Sequence, residues 1–197
     1  MALILVPCKS LALGKSRLAG LLSPQQREAL CRQFLADTLR NAIEVAGAGH
    51  VKLISTDPDA QAMANDAGVA TYATDWPDLN AALSAVRQQI LASADAGDIL
   101  VLPIDLPLAT PASLRKVMET SGDIVLVPDR KNDGTNVLLL REAALEGFRF
   151  AYGPDSLRIH AAQGPSLARK VSVLRDDGLA FDIDEPEDYL SWRGLPQ

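Results

Sequence analysis

The chain has 197 residues, 48% of them hydrophobic and 22% charged, with 13 Gly and 12 Pro. That balance excludes disorder and suits one domain with a sizeable core. Two Cys and two His exclude a disulfide framework, a four-thiolate zinc site and a His-rich metal centre, and a net charge of -6 excludes the broad basic face of a non-specific nucleic-acid binder.

Residues 2–6 are continuously apolar and end at Pro7, which predicts a strand buried on both faces. No apolar run reaches the roughly 18 residues of a membrane span. The first residues also lack a signal peptide's basic start and small-residue exit, so a cytoplasmic protein is expected. Ser23-Pro24 with Gln26 predicts a capped helix that runs to about Ala46 and ends at Gly47. Residues 51–55 predict the second strand and 79–94 a second helix. Strands follow at 99–102 and 124–127, separated by a helix opened by Thr110-Pro111. Residues 137–140, 171–174 and 179–183 are strand-like, and Glu185-Pro186 opens the last helix. Strands alternating with helices predict an α/β fold with a mainly parallel sheet, whose ligands sit beyond the carboxyl ends of the strands.

Four segments there could carry chemistry. The first, residues 7–18, holds Lys9, Lys15 and Arg17 after the first strand. Residues 1–27 contain four basic residues and no acid, which leaves 15 basic residues against all 25 acids in the rest. A basic loop on an acidic protein suggests an anion site, such as a triphosphate, although a solvated loop has the same composition. Gly14-Lys15-Ser16 mimics the end of a Walker A motif, but the glycine required five residues earlier is Lys9.

The second segment is Pro103-Ile104-Asp105-Leu106-Pro107. Asp105 could hold Mg²⁺ or serve as a turn aspartate. In the third, Asp182 and Asp184 alternate, so both side chains face one way and repel unless a cation or solvent separates them, a divalent metal being the natural partner; Asp184 could also cap the last helix. The fourth joins Gly134-Thr135-Asn136 to Gly153 and Ser156, where a helix start attracts anions. Arg158 and His160 lie on that helix and could face a second anion; His160 reads equally as a surface or a satisfied core residue. Asp57 reads as a turn residue or a base contact, and Asn80 as a base contact or a cap. Cys8 and Cys31 have no base nearby in sequence and are not expected to be nucleophiles.

Together these segments resemble one family, the guanylyltransferases that activate a phosphorylated three-carbon acid in making the deazaflavin coenzyme F-420, typified by 2-phospho-L-lactate guanylyltransferase. The resemblance spans roughly residues 3–191. It is carried by Val6-Pro7-Cys8-Lys9, Lys15-Ser16-Arg17-Leu18, residues 102–107, Gly134-Thr135-Asn136, Phe150 with Gly153 and Ser156, and Asp182-Ile183-Asp184. It implies a MobA-like, Rossmann-like three-layer sandwich with a mostly parallel mixed sheet, of the nucleotide-diphospho-sugar transferase type. It further implies that Asp105, Asp182 and Asp184 bind one or two Mg²⁺ ions. Pro7, Lys9, Lys15, Ser16, Arg17, Asp57, Asn80 and Asp105 would contact GTP, with Lys9, Lys15, Arg17 and Asp105 catalytic. Thr135, Asn136, Gly153 and Ser156 would hold the acceptor.

The chain departs from the family at Asp78, where Gly is usual before Leu-Asn, at Cys8, and at residues 131–133, which are less Gly-rich. The implied acceptors are 2-phospholactate, phosphoenolpyruvate or 3-phosphoglycerate, with a downstream transferase taking the product and a homodimer as one arrangement. Other MobA-like nucleotidyltransferases, acting on molybdopterin or sugar phosphates, usually carry a tighter Gly-rich first loop. A non-catalytic nucleotide-binding domain would be expected to lack one of the metal carboxylates.

Overall fold

The computed structural model describes residues 2–73, 77–93 and 97–195. In chain order the strands are β1 (Leu3–Pro7), β2 (Val51–Ile54), β3 (Ala70–Tyr72), β4 (Ile99–Val101), β5 (Ile124–Pro128), β6 (Thr135–Leu140) and β7 (Val171–Val173). The helices are α1 (Pro24–Ala46), α2 (Pro58–Asp66), α3 (Leu79–Leu91), α4 (Pro111–Glu119), α5 (Glu142–Leu145), α6 (Ser156–Ser166), α7 (Asp177–Ala180) and α8 (Pro186–Arg193).

The strands form one sheet in the order β3-β2-β1-β4-β6-β5-β7. Every pairing is parallel except those of β6, which runs against β4 and β5. The strands read as unbroken apolar runs because both faces are covered. Val125, Val127, Val137 and Leu139 pack with Leu35 and Leu39 of α1 and Leu114 of α4. Ile124, Leu126, Leu138 and Leu140 pack with Leu83 and Val86 of α3 and with Phe148. Leu126 alone, moved from water to full burial, contributes about 2 kcal/mol.

The caps predicted at α1 and α4 form, but α8 is capped by Glu185, in a capping box with Asp188, rather than by Asp184. Ser23 and Gln26 make a reciprocal capping box at α1, and Thr110 accepts from Ser113 at α4. The helix predicted over 79–94 ends at Leu91; Ala94 lies outside the described residues. The strand predicted over 179–183 is a correction. The Asp176 carboxylate accepts from the Leu179 N–H at 3.2 Å and turns the chain into α7. Phe181 to Asp184 then runs as irregular chain, tied by the Ile183 N–H to the Asp105 carbonyl at 3.1 Å. The alternation survives without the ladder: Phe181 and Ile183 are buried while Asp182 and Asp184 are half-buried.

A third cluster stands apart from the sheet. Leu18, Leu22, Leu30, Phe34, Phe181, Ile183 and Trp192 pack together, with Ile104 and Leu108 against them. Phe34 meets Trp192 edge-on at 5.5 Å, an arrangement favoured by the aromatic quadrupoles. This cluster seats the basic loop, the Asp105 loop and the Asp182 segment beside one another.

Candidate active site

The basic loop leaves β1 and is shaped from beneath. The Cys8 N–H donates to the Ile54 carbonyl at 3.0 Å, and the Leu11 N–H donates to Asp57 Oδ2 at 2.9 Å. Asp57 also caps α2 by accepting from Asp59 and Ala60. Its burial works against ionisation, but these N–H groups outweigh it and hold the carboxyl below its ordinary range. Asp57 therefore serves the loop and the helix together. Gly14 is needed for close approach: a Cβ there would lie 2.5 Å from Cys31 Sγ on α1 and 3.2 Å from the Ser10 carbonyl. Lys15 follows in the left-handed region at φ 52°.

That conformation sends the Lys15 side chain inward. Its Nζ lies 2.8 Å from Asp105 Oδ2 and 3.1 Å from Asp184 Oδ1. The Lys15 side chain is 9% exposed, against 26% and 48% for its partners. Burial weakens the ammonium, but the two carboxylates outweigh it and raise its pKa above the ordinary lysine value. Lys15 was expected on phosphates and Asp105 and Asp184 on a metal; here the three meet one another. Arg17 is more exposed, with Nη1 3.1 Å from Glu185 Oε1 and 3.7 Å from Asp184 Oδ2. Lys15, Ser16, Arg17 and Asp184 line an open cleft of about 310 Å³. Lys9 lies exposed and Pro7 half-buried at the start of the same loop.

The Asp105 loop is pinned from α1, where Asn41 donates to the Ala109 carbonyl at 2.9 Å. Asp182 is raised, first by burial and then by the nearby charges of Asp105 and Asp184, while Asn136 donates to it. Among the described residues, no three His, Cys, Asp or Glu side chains close on one point where an ion could sit. The thiols are not poised for attack. Burial, reinforced by the Asp57 charge, pushes Cys8 up to about 12.

The hydroxyl side of the site begins at β6. The Thr135 N–H donates to Ser156 Oγ at 2.9 Å, and Thr135 Oγ1 lies 3.0 Å from His160 Nδ1. Asn136 donates to the Leu179 carbonyl at 2.9 Å, so one amide links this side to the chain that leads into Asp182. Thr135, Ser156 and His160 are buried, whereas Gly153 is exposed at φ 130°, where any side chain would be strained. Arg158 points outward and pairs with Asp155.

Sequence reasoning did not anticipate how Asn80 is used. Its amide donates to the Tyr152 carbonyl at 3.0 Å and accepts from the Tyr152 N–H at 2.7 Å. Asn80 thus ties α3 to the segment before Gly153, while Asp78 supplies the cap by accepting from Ala81. A side-chain amide matches a peptide group in both donor and acceptor, but no spacing in the chain marks residues 80 and 152 as partners.

Comparison with known proteins gives this geometry a context. Residues 2–192 match the family model described as guanylyl transferase CofC like. The chain is 35% identical over 190 residues to the phosphoenolpyruvate guanylyltransferase of Chloroflexus aggregans, covering 93% of each chain. It is 36% identical over 186 residues to that of Rubrobacter xylanophilus, covering 93% of this chain and 89% of the relative. The fold is similar to that of a nucleotide-diphospho-sugar transferase from Desulfovibrio desulfuricans G20, with a TM-score of 0.70 at 16% identity over 94% of this chain and 84% of the other. A nucleotidyl transferase from a Methanothermobacter species aligns with a TM-score of 0.63 at 15% identity, over 97% of this chain and 96% of the other. The mostly parallel sheet and the full-length match agree: the chain is a nucleotidyltransferase and belongs to the CofC-like guanylyl transferase family.

Proposed function

We propose that this enzyme transfers GMP from GTP to phosphoenolpyruvate, or to a close three-carbon phosphorylated acid, and releases pyrophosphate. The product would feed biosynthesis of the deazaflavin coenzyme. The observation that supports the reading best is the Lys15 ammonium held between Asp105 and Asp184, with Arg17 beside it. It is a buried cation with acid neighbours at the end of β4, next to an open cleft. The names of the relatives favour phosphoenolpyruvate among the acceptors.

In this reading a phosphate oxygen of the acceptor attacks the α-phosphorus of GTP. The new O–P bond forms as the bond from the α-phosphorus to the bridging oxygen breaks, and pyrophosphate carries the electron pair away. The nucleophile is already anionic, so no general base is required; this suits a site without an exposed His or Cys. Catalysis is then orientation and charge neutralisation. Lys15 has three N–H donors and gives two to Asp105 and Asp184, which leaves one for a phosphate oxygen. Arg17 and Lys9 would contact the outer phosphates. Thr135, Gly153 and Ser156 would orient the acceptor.

The carboxylate chemistry suits a divalent cation, although as placed the three side chains do not meet at one point and Lys15 stands between Asp105 and Asp184. Asp105, Asp182 and Asp184 offer hard oxygen donors, and Asp182 is raised partly because the other two repel its charge. These three would hold Mg²⁺, which would neutralise charge on the phosphates. The test is pyrophosphate release with Mg²⁺, each nucleoside triphosphate and each of the three acids in turn. Release with GTP and phosphoenolpyruvate is expected. Binding of GTP without release for any acid would overturn the reading.

A further inference from the structure

The mechanism above gives His160 no part, yet it is fully buried in α6 and both its ring nitrogens are engaged. The Ala151 N–H points at Nε2 from 2.9 Å. A backbone N–H can only donate, so Nε2 is the acceptor and carries no proton. A neutral imidazole keeps one N–H, which must then sit on Nδ1. An imidazolium would set a second N–H against that of Ala151. Nδ1–H therefore donates to Thr135 Oγ1 at 3.0 Å.

This settles what Thr135 has left to offer. One lone pair of its hydroxyl is filled by Nδ1–H, and its own proton cannot point back at a protonated nitrogen. That proton is free to be donated elsewhere. Ser156 is arranged alike: its Oγ accepts from the Thr135 N–H at 2.9 Å. Nearby, the N–H groups of Ala151 and Tyr152 are taken by His160 and Asn80, and the next one along belongs to exposed Gly153. With the other tautomer, Thr135 would spend its proton on Nδ1 and turn lone pairs outward, which would repel an anion.

We propose that His160 is a positioning residue for the acceptor: through Nδ1–H it fixes the Thr135 hydroxyl as a donor toward the acceptor's carboxylate or phosphate. This rests on Thr135 being an acceptor contact, as proposed above.

Two measurements test it. In ¹⁵N-histidine NMR of the wild-type protein, the buried ring should show a protonated Nδ1 and a bare Nε2. The only other histidine, His50, is exposed and readily separated. A protonated Nε2 would overturn the proposal. The second is kinetics with phosphoenolpyruvate and GTP on His160→Asn, His160→Gln and Thr135→Val. Asn places an amide N–H where Nδ1–H was, whereas Gln reaches only the Nε2 position. A lost hydrogen bond to an anion should raise the phosphoenolpyruvate KM about tenfold or more in H160Q and T135V. H160N should stay within about threefold of wild type, and the GTP KM within about twofold in all three. Equal effects in H160N and H160Q would reduce His160 to a packing residue. A raised KM in T135V with none in H160Q would sink this proposal alone. An unchanged KM in T135V would sink the acceptor role of Thr135 and this proposal with it.

Discussion

The Lys15 ammonium and the Asp105 carboxylate meet at 2.8 Å although 90 residues separate them in the chain. Asp184, 169 residues from Lys15, closes the other side at 3.1 Å. The mostly buried cation is therefore the common partner of two acids from two loops. Lys15→Met leaves those acids facing each other with Arg17, beside Asp184, as the remaining counter-charge. Both partners keep some access to water, so the loss should be about 1–3 kcal/mol rather than that of a fully buried pair. Urea titration would measure it. Activity should fall further than stability alone explains, and an unchanged midpoint would mean that the pair contributes nothing to the fold.

Asp184→Asn keeps the size of the side chain and removes its charge. Because Lys15 keeps Asp105 and Asp184 is half exposed, it should cost about 1 kcal/mol or less of stability, while turnover with Mg²⁺ falls by about 100-fold or more. Wild-type turnover in this variant would remove Asp184 from the proposed metal site.

Gly14 faces Cys31 so closely that a methyl group would lie 2.5 Å from the sulfur. Gly14→Ala should destabilise by about 1–3 kcal/mol through overpacking. Cys31→Ala should recover part of that loss, because it vacates the contested space. The double-mutant cycle should show coupling of about 1 kcal/mol or more, and strict additivity would place the strain elsewhere.

Asn80→Ala cuts both bonds to Tyr152 and should lower stability by about 1–2 kcal/mol. If Asn80 acts through the segment that leads to Gly153, the acceptor KM should rise more than the GTP KM. A selective loss of preference for GTP over ATP would instead make it a base contact.

Burial pushes His160 down from 6.5 to about 4. Its neighbours Thr135, Ala151 and the rings of Phe148 and Tyr152 carry no charge near neutrality, so desolvation alone is at work. The fold favours the neutral ring. As pH falls below about 6.5, the unfolded chain binds the proton first, and stability declines until about pH 4, where the folded form also takes it. The full change is on the order of 3 kcal/mol. Denaturation midpoints of wild type and His160→Asn between pH 7 and 4 should converge as the pH drops. Parallel curves would contradict a neutral buried ring.

Much of the fold was legible because its signals are local. Pro24 with its Ser23 cap, Thr110-Pro111 and the continuous apolar strands each announce themselves within a few residues. Helix α2 and strand β3 were not read, since alanine-rich and short segments carry little pattern. The strand expected at 179–183 failed because Asp176 begins a turn that apolar content cannot reveal. In the site, the acids and bases could be found, but not their pairing. Which carboxylates Lys15 meets, and that Asn80 reaches Tyr152, depend on contacts across the whole chain.

The satellite cluster of Leu18, Leu22, Leu30, Phe34, Phe181, Ile183 and Trp192 lies outside the two cores that sandwich the sheet. A unit with its own small core can open without the rest of the molecule. Its residues flank Arg17 on one side and Asp182 and Asp184 on the other, while Ile104 carries the neighbouring Asp105 loop. Amide hydrogens in this corner should exchange together and ahead of those in β1 and β4. A bound nucleotide bridging the two walls would slow them as a group, so this corner would report ligand occupancy while the central strands stay silent.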